Sequence, residues 1–288
     1  MAVQSHWFSV GTLVPWAEAG VGAGAVATQS FVDVRYGASG LDLMRTGWSA
    51  QRALAALKQA DPHAEVRQVA MVDAKGNVAA HTGEKCIRYA GHLIGEDFSV
   101  QANLMLNNRV WETMAEAYRQ SSGDLADRLL TVLEAAQSTG GDLRGKQSAA
   151  ILVVRATPTG RPWEDRIVDL HVADHTDPLQ ELRRLMRLNK AYHHMNRGDL
   201  AFEQNRVKEA LSEYGMAQTL APENLEMNFW MAVSLVNAKR VQSALPIFKS
   251  IFQRDENWRL LIPRLSEVNL LPSDPVVIEQ ITSVIPAR

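Results

Sequence analysis

Polar residues that could handle a substrate gather where apolar runs end. Val26-Ala27 leads into Thr28-Gln29-Ser30, and a few residues on into Asp33-Val34-Arg35-Tyr36-Gly37. Gly141-Asp142-Leu143-Arg144-Gly145-Lys146-Gln147-Ser148 stands immediately before the most apolar segment of the chain. At the start, Ala2-Val3-Gln4 leads into Ser5 and His6 as a strand breaks into a turn. Hydroxyls, amides, an imidazole and carboxylates delivered by strand ends can hold a polar substrate and move a proton. The competing reading of the two longer runs is solvated loops.

Other reactive groups point less clearly to chemistry. Gly20-x-Gly22-x-Gly24 could cradle a phosphate, but that fingerprint needs a helix after the glycines, and here they run into the strand-like Val26-Ala27-Thr28. Close strand packing accounts for them better. His6, His81, His92, His171 and His175 are scattered, and no Glu follows His171 as a zinc-protease helix requires, so no metal is expected. Cys86 is the one thiol, flanked by Lys85 and Arg88, which would favour its thiolate if exposed; a lone cysteine is otherwise a buried, inert residue.

The elements that must position these groups fall into two halves. In the first, residues 68–80 read as a β-hairpin turning at Asp73-Ala74-Lys75-Gly76-Asn77, and strands are expected over 98–106, 148–155 and 166–172. The apolar run 148–155 reads as buried on both faces; the alternating run 166–172 suits a strand near an edge. Helices are expected over 49–60, opened by a capping Ser49, and over 110–120 and 125–137, the last stopped by Gly140-Gly141. Strands, a helix pair and more strands predict an α+β layered domain over 1–178.

From Thr176-Asp177-Pro178, a good helix entry, no strand is expected, and residues 179–288 read as helical. Gly198, Ala210, Tyr214, Ala217 and Pro222 are answered 34 residues later by Ala232, Ala244, Phe248, Ile251 and Glu256, the tetratricopeptide period. Such a pair could dock a protein partner on its concave face.

Composition sets outer bounds. A net charge of −2 gives no nucleic-acid footprint, and no apolar run reaches the ~20 residues of a membrane span. A single cysteine and no secretory leader fit a reducing, cytoplasmic setting.

The chain resembles a known bacterial family, domain of unknown function 1028. The resemblance rests on residues 11–22 (Gly11-Thr12-Leu13-Val14-Pro15-Trp16 and onward), Ala25-Val26-Ala27-Thr28-Gln29-Ser30, Arg35-Tyr36-Gly37, Ala80-His81-Thr82-Gly83, Gly91-His92, Val100-Gln101-Ala102-Asn103 and Gly140-Gly141-Asp142 through Ala150, and it spans about residues 2 to 185. The helical remainder is similar to the segment, named for peptidoglycan binding, that often follows this domain. The resemblance implies an N-terminal-nucleophile hydrolase fold, a four-layer αββα sandwich with two antiparallel sheets between helical layers. In active members of that class the first residue is Thr, Ser or Cys; its side chain attacks an amide while its α-amino group, with a pKa near about 8, acts as base.

The family's usual first strand is expected upstream of Ala2, and Met1-Ala2 carries neither hydroxyl nor thiol. The expectation is therefore a domain short of its first strand, with an open strand edge that favours a homo-oligomer. What the resemblance carries over is the strand-end set. His6 or Asp142 would orient or transfer a proton, Asn103 would meet an oxyanion or substrate amide, and Ser5, Thr28, Gln29 and Ser148 would contact substrate. No cofactor is implied. The implied function is hydrolysis of an amide bond in a small molecule or peptide by the full-length form; the alternative is a non-catalytic ligand-binding domain carrying a helical docking module.

Overall fold

The structure is a computed structural model describing residues 1–20 and 24–284. The middle of the glycine run, Val21-Gly22-Ala23, lies outside the described residues. The chain is mixed α/β and divides into two compact units, Met1–Arg184 and Leu185–Arg288.

In the first unit the elements are β1 Ala2–Ser5, β2 Pro15–Ala17, β3 Gly24–Ser30, α1 Arg35–Arg45, α2 Ala50–Ala60, β4 Arg67–Asp73, β5 Val78–Thr82, β6 Gly91–Gly95, β7 Phe98–Ala102, α3 Val110–Gln120, α4 Leu125–Ser138, β8 Ser148–Val154 and β9 Arg166–Val172. They form three antiparallel sheets in the orders β1-β8-β9, β2-β3-β4-β5 and β6-β7. The hairpin over 68–80 is β4–β5, and Asp73 closes its turn by accepting from the main-chain N–H groups of Lys75 and Asn77. β8 lies between β1 and β9, so both its edges are paired, and Ala149 through Val153 are buried. This is why that segment is continuously apolar. β9 is an edge strand with alternate residues exposed, matching its charged alternation.

Local signals set the helix ends. Ser49 accepts from the Arg52 N–H and caps α2, Asp124 accepts from the Asp127 N–H and caps α4, and Gly140 and Gly141 stop α4 with φ of 122° and 62°. Three expectations need correction. Residues 35–37 are not loop: they open α1, whose Tyr36, Gly37, Gly40, Leu41 and Met44 face the core at helical spacing. The strand expected over 98–106 ends at Ala102, because Leu104 takes a positive φ of 60°. A strand absent from the reading, β6, pairs with β7.

Alternation in β3 and β4 separates two environments. Val26, Val69 and Met71 pack beneath α1 and α2 with Tyr36, Leu41, Met44 and Leu54. Ala25, Ala27, Ala70 and Val72 face the other way. Gly24 lies so close to β4 that a Cβ there would stand 2.0 Å from the Val72 carbonyl oxygen, which requires glycine.

A buried ionic cluster ties the helical side of this sheet together. The Asp61 carboxylate accepts from Arg67 Nε at 2.9 Å, the Tyr36 hydroxyl at 3.1 Å and the His63 N–H at 2.9 Å. Burial alone would raise the Asp61 pKa; the Arg67 guanidinium and the other donors outweigh it and hold the carboxyl below the ordinary range.

The second unit is helical. Beyond the end of α5 (Pro178–Glu203) it contains α6 Val207–Leu220, α7 Leu225–Asn237, α8 Val241–Arg254, α9 Leu261–Glu267 and α10 Pro275–Thr282. Ala210, Tyr214 and Ala217 are buried in one cluster, and Ala232, Ala244, Phe248 and Ile251 in another. At Gly198 a Cβ would stand 2.7 Å from the Tyr214 ring, so the helices meet at van der Waals contact there. No helix among the described residues is long and apolar enough to cross a membrane.

Candidate functional site

A cavity of about 720 Å³ lies within the first unit. Its walls come from β1, from the Ala25/Ala27/Gln29 face of β3, from Ala70 and Val72 of β4, from β7, and from the inner faces of α3 and α4. The space exists because β3 and β4 present alanines where larger residues would have filled it. Val100, Val110, Met114, Val132 and Leu133 give most of it an apolar surface. Its volume falls in the ~300–1,000 Å³ range of small-molecule sites.

Polar groups enter this wall as three sets. Gln29 and Asn103 both donate to the side-chain oxygen of Gln68, at 2.7 Å and 3.0 Å. Asp142 and Arg144 form a bidentate pair, with Nε to Oδ1 at 3.0 Å and Nη2 to Oδ2 at 2.7 Å; Arg144 also reaches the Ser5 hydroxyl at 3.4 Å. Gln4 donates to Gln137 Oε1 at 2.6 Å, joining β1 to α4. The first two sets adjoin along the chain, since Met105, two residues past Asn103, bridges to Asp142.

Electrostatics distinguish these groups. Burial would raise the Asp142 pKa, but hydrogen bonds from the Arg144 side chain and main chain and from the His6 N–H hold the carboxyl below its usual range. Asp142 is thus a fixed anion with its charge answered by Arg144, suited to orienting neighbours and a poor proton acceptor near neutrality. His92, hydrogen bonded to Thr82, has its pKa lowered first by burial and then by the charge of His81.

Of the residues singled out from the sequence, Ser5, Gln29, Asn103 and Asp142 line the cavity. The His6 side chain is exposed and outside the lining, and only its main-chain N–H reaches the site. Thr28 lies on the helix-facing side of β3, fully buried, and donates to the Asp33 carbonyl at 3.1 Å. Ser148 is fully buried outside the lining; it donates to the Trp7 carbonyl at 2.5 Å and accepts from the Val10 N–H at 3.1 Å, pinning the turn after β1 onto β8. Cys86 is half-buried and donates to the Arg67 carbonyl. His171 lies on β9 beside Asp169. Among the described residues, no three His, Cys, Asp or Glu side chains converge as a metal would require.

Sequence reasoning passed over Gln68, the hub of the amide set, and Gln137, and gave Gln4 and Arg144 no role of their own within the runs that hold them. Gln68 did carry a signal: it is a polar residue at the head of an apolar strand, and in an antiparallel register it falls opposite Gln29. A cross-strand amide pair on one face is a polar site within a sheet.

A mixed α/β unit with a cavity bounded by antiparallel strands and two helices defines a class of domain, and comparison with known proteins identifies its family. Residues 1–182 match the family of unknown function DUF1028, and the chain belongs to that family. It is also similar to the crystal structure of a Silicibacter pomeroyi protein matched by the same family model, at 28% identity and a TM-score of 0.57, over 65% of this chain and 80% of that one. No curated protein matches the chain significantly.

Proposed function

We propose that the first unit is a ligand-binding domain, built as a four-layer αββα sandwich of the N-terminal-nucleophile hydrolase type, that encloses a small molecule with an apolar body and a polar head. The cavity carries this reading: a space of about 720 Å³ with alanine, valine and leucine walls and a few convergent amide and charged groups. The placement of α1 and α2 on one sheet, and of α3 and α4 against β6, β7, β1 and β8, supports the layered arrangement. Binding is favoured over hydrolysis because the hydroxyls of Thr28 and Ser148 are committed to main-chain groups, and Ser5 has an arginine rather than a base beside it.

The helical unit reads as a tetratricopeptide-like pair that docks a protein partner, supported by the burial of the small and aromatic residues that recur at the 34-residue offset. The open edge of β1 is the surface through which a second copy of the chain would pair.

The cavity is tested with the neutral fluorophore N-phenyl-1-naphthylamine. Saturable, one-site enhancement is expected, and it should vanish in Ala70→Trp, whose indole would occupy the same space. No saturable enhancement, or equal enhancement in that variant, would refute the reading.

A further inference from the structure

The amide set does more than make the cavity polar; its hydrogen-bonding directions are fixed from behind. Gln68 is fully buried, and its Nε2 lies 2.9 Å from the Thr82 hydroxyl, 3.1 Å from the Gly91 carbonyl and 2.9 Å from the Ala102 carbonyl. Reversing this amide would set its oxygen against two main-chain carbonyl oxygens, so the nitrogen must point that way. The oxygen then points toward Gln29 and Asn103, and the same logic turns both of their N–H₂ groups inward to meet it. Gln29 and Asn103 line the cavity, and neither side-chain oxygen has a hydrogen-bond partner among the described residues. Two carbonyl acceptors anchored to one atom are therefore left for a ligand, each beside the second N–H of its own amide.

We infer that Gln68 is a positioning residue that sets the specificity of this cavity, selecting ligands whose head group carries N–H donors, with a primary carboxamide as the simplest case. The inference rests on the cavity being a ligand site. A primary carboxamide can satisfy the two acceptors with its N–H groups and accept from the remaining amide N–H; a head group with acceptors alone leaves the two carbonyl oxygens desolvated and unpaired, which weakens binding.

The test uses the whole chain and three probes with the same alkyl tail: octanamide, N,N-dimethyloctanamide and methyl octanoate, compared by isothermal titration below their aggregation limits. Octanamide is expected to bind more tightly than either acceptor-only analogue by about tenfold or more. The gap should shrink to about twofold in the Gln29→Met/Asn103→Leu double variant, which removes both acceptors, and should also narrow in Gln68→Met, which frees the two amides to turn. Gln68 is buried and multiply bonded, so if its variant does not fold the double variant decides the matter. Equal binding of all three probes, or a gap that survives the double variant, would overturn the selectivity while leaving the cavity as a site. Binding of none of them, together with no response to the naphthylamine probe, would overturn both.

Discussion

Asp61→Asn isolates the ionic cluster that fastens α1 and the α2–β4 connection. The substitution keeps the side-chain shape and one acceptor oxygen but removes the charge opposite Arg67. Asp61 is buried and Arg67 half-buried, at 5% and 13% side-chain exposure, and breaking a fully buried pair costs about 3–5 kcal/mol because the surviving charge is left unanswered. Asp33, with Oδ2 3.8 Å from Arg67 Nη2, remains as a partial counter-charge, and the asparagine oxygen can still accept. The expected loss is therefore below that range, about 2–3 kcal/mol, which for a unit of this size lowers the midpoint by roughly 4–12 °C. Hydrogen exchange of peptides from α1 and β4, followed through a urea titration, separates this unit from the helical one. The pH dependence has a definite sign. The folded pKa of Asp61 is depressed, so its contribution is complete above the unfolded value of about 3.9 and is lost as pH falls through the folded value. The gap between wild type and variant should be widest at pH 7 and narrow toward pH 3. A gap under about 0.5 kcal/mol at pH 7, the size of an ordinary surface change, or one that does not change with pH, would refute the assignment.

Three further outcomes follow from the geometry. Ala70→Leu adds three carbons to the apolar side of the cavity and should stabilise the first unit by about 1–2 kcal/mol, at ~0.8 kcal/mol per buried methylene with incomplete packing; thermal melting checks it. Ser148→Ala leaves the Trp7 carbonyl and the Val10 N–H without their partner and should cost about 1–3 kcal/mol in urea unfolding. Gly198→Val forces a side chain against the Tyr214 ring and should destabilise the helical unit by about 1–3 kcal/mol, read from loss of helical circular dichroism on heating.

Much of the framework was legible because local rules and tertiary demand agree. The β4–β5 hairpin has its turn residues, α2 has its serine cap, and β8 is apolar throughout because it is paired on both edges. Where reading failed, local rules were silent. Residues 35–45 form a helix with glycines at 37 and 40, poor helix formers that hid the apolar stripe; they are needed because a Cβ at Gly37 would stand 2.3 Å from Trp16 and one at Gly40 would stand 2.9 Å from Met71. Of the site, Gln29 and Asp142 were legible as polar residues where apolar runs end, and Asn103 only through the family resemblance. The direction in which Thr28 and Ser148 point was not, because it depends on strand register, and Gln68 acquires its role only through β5, β6 and β7 around it.

The position of β8 has a consequence for how the chain comes off the ribosome. Ala2 is paired with Ile151, and Val3 with Ala150, so β1 has no β8 to pair with until more than a hundred further residues have been made. The sheet from β2 to β5, by contrast, closes through neighbouring segments and can form while the rest is still being made. Between the synthesis of β1 and that of β8, then, β1 is an unsatisfied strand beside a sheet that can already close, and that interval is when capture by a chaperone or mispairing with another nascent chain competes with folding.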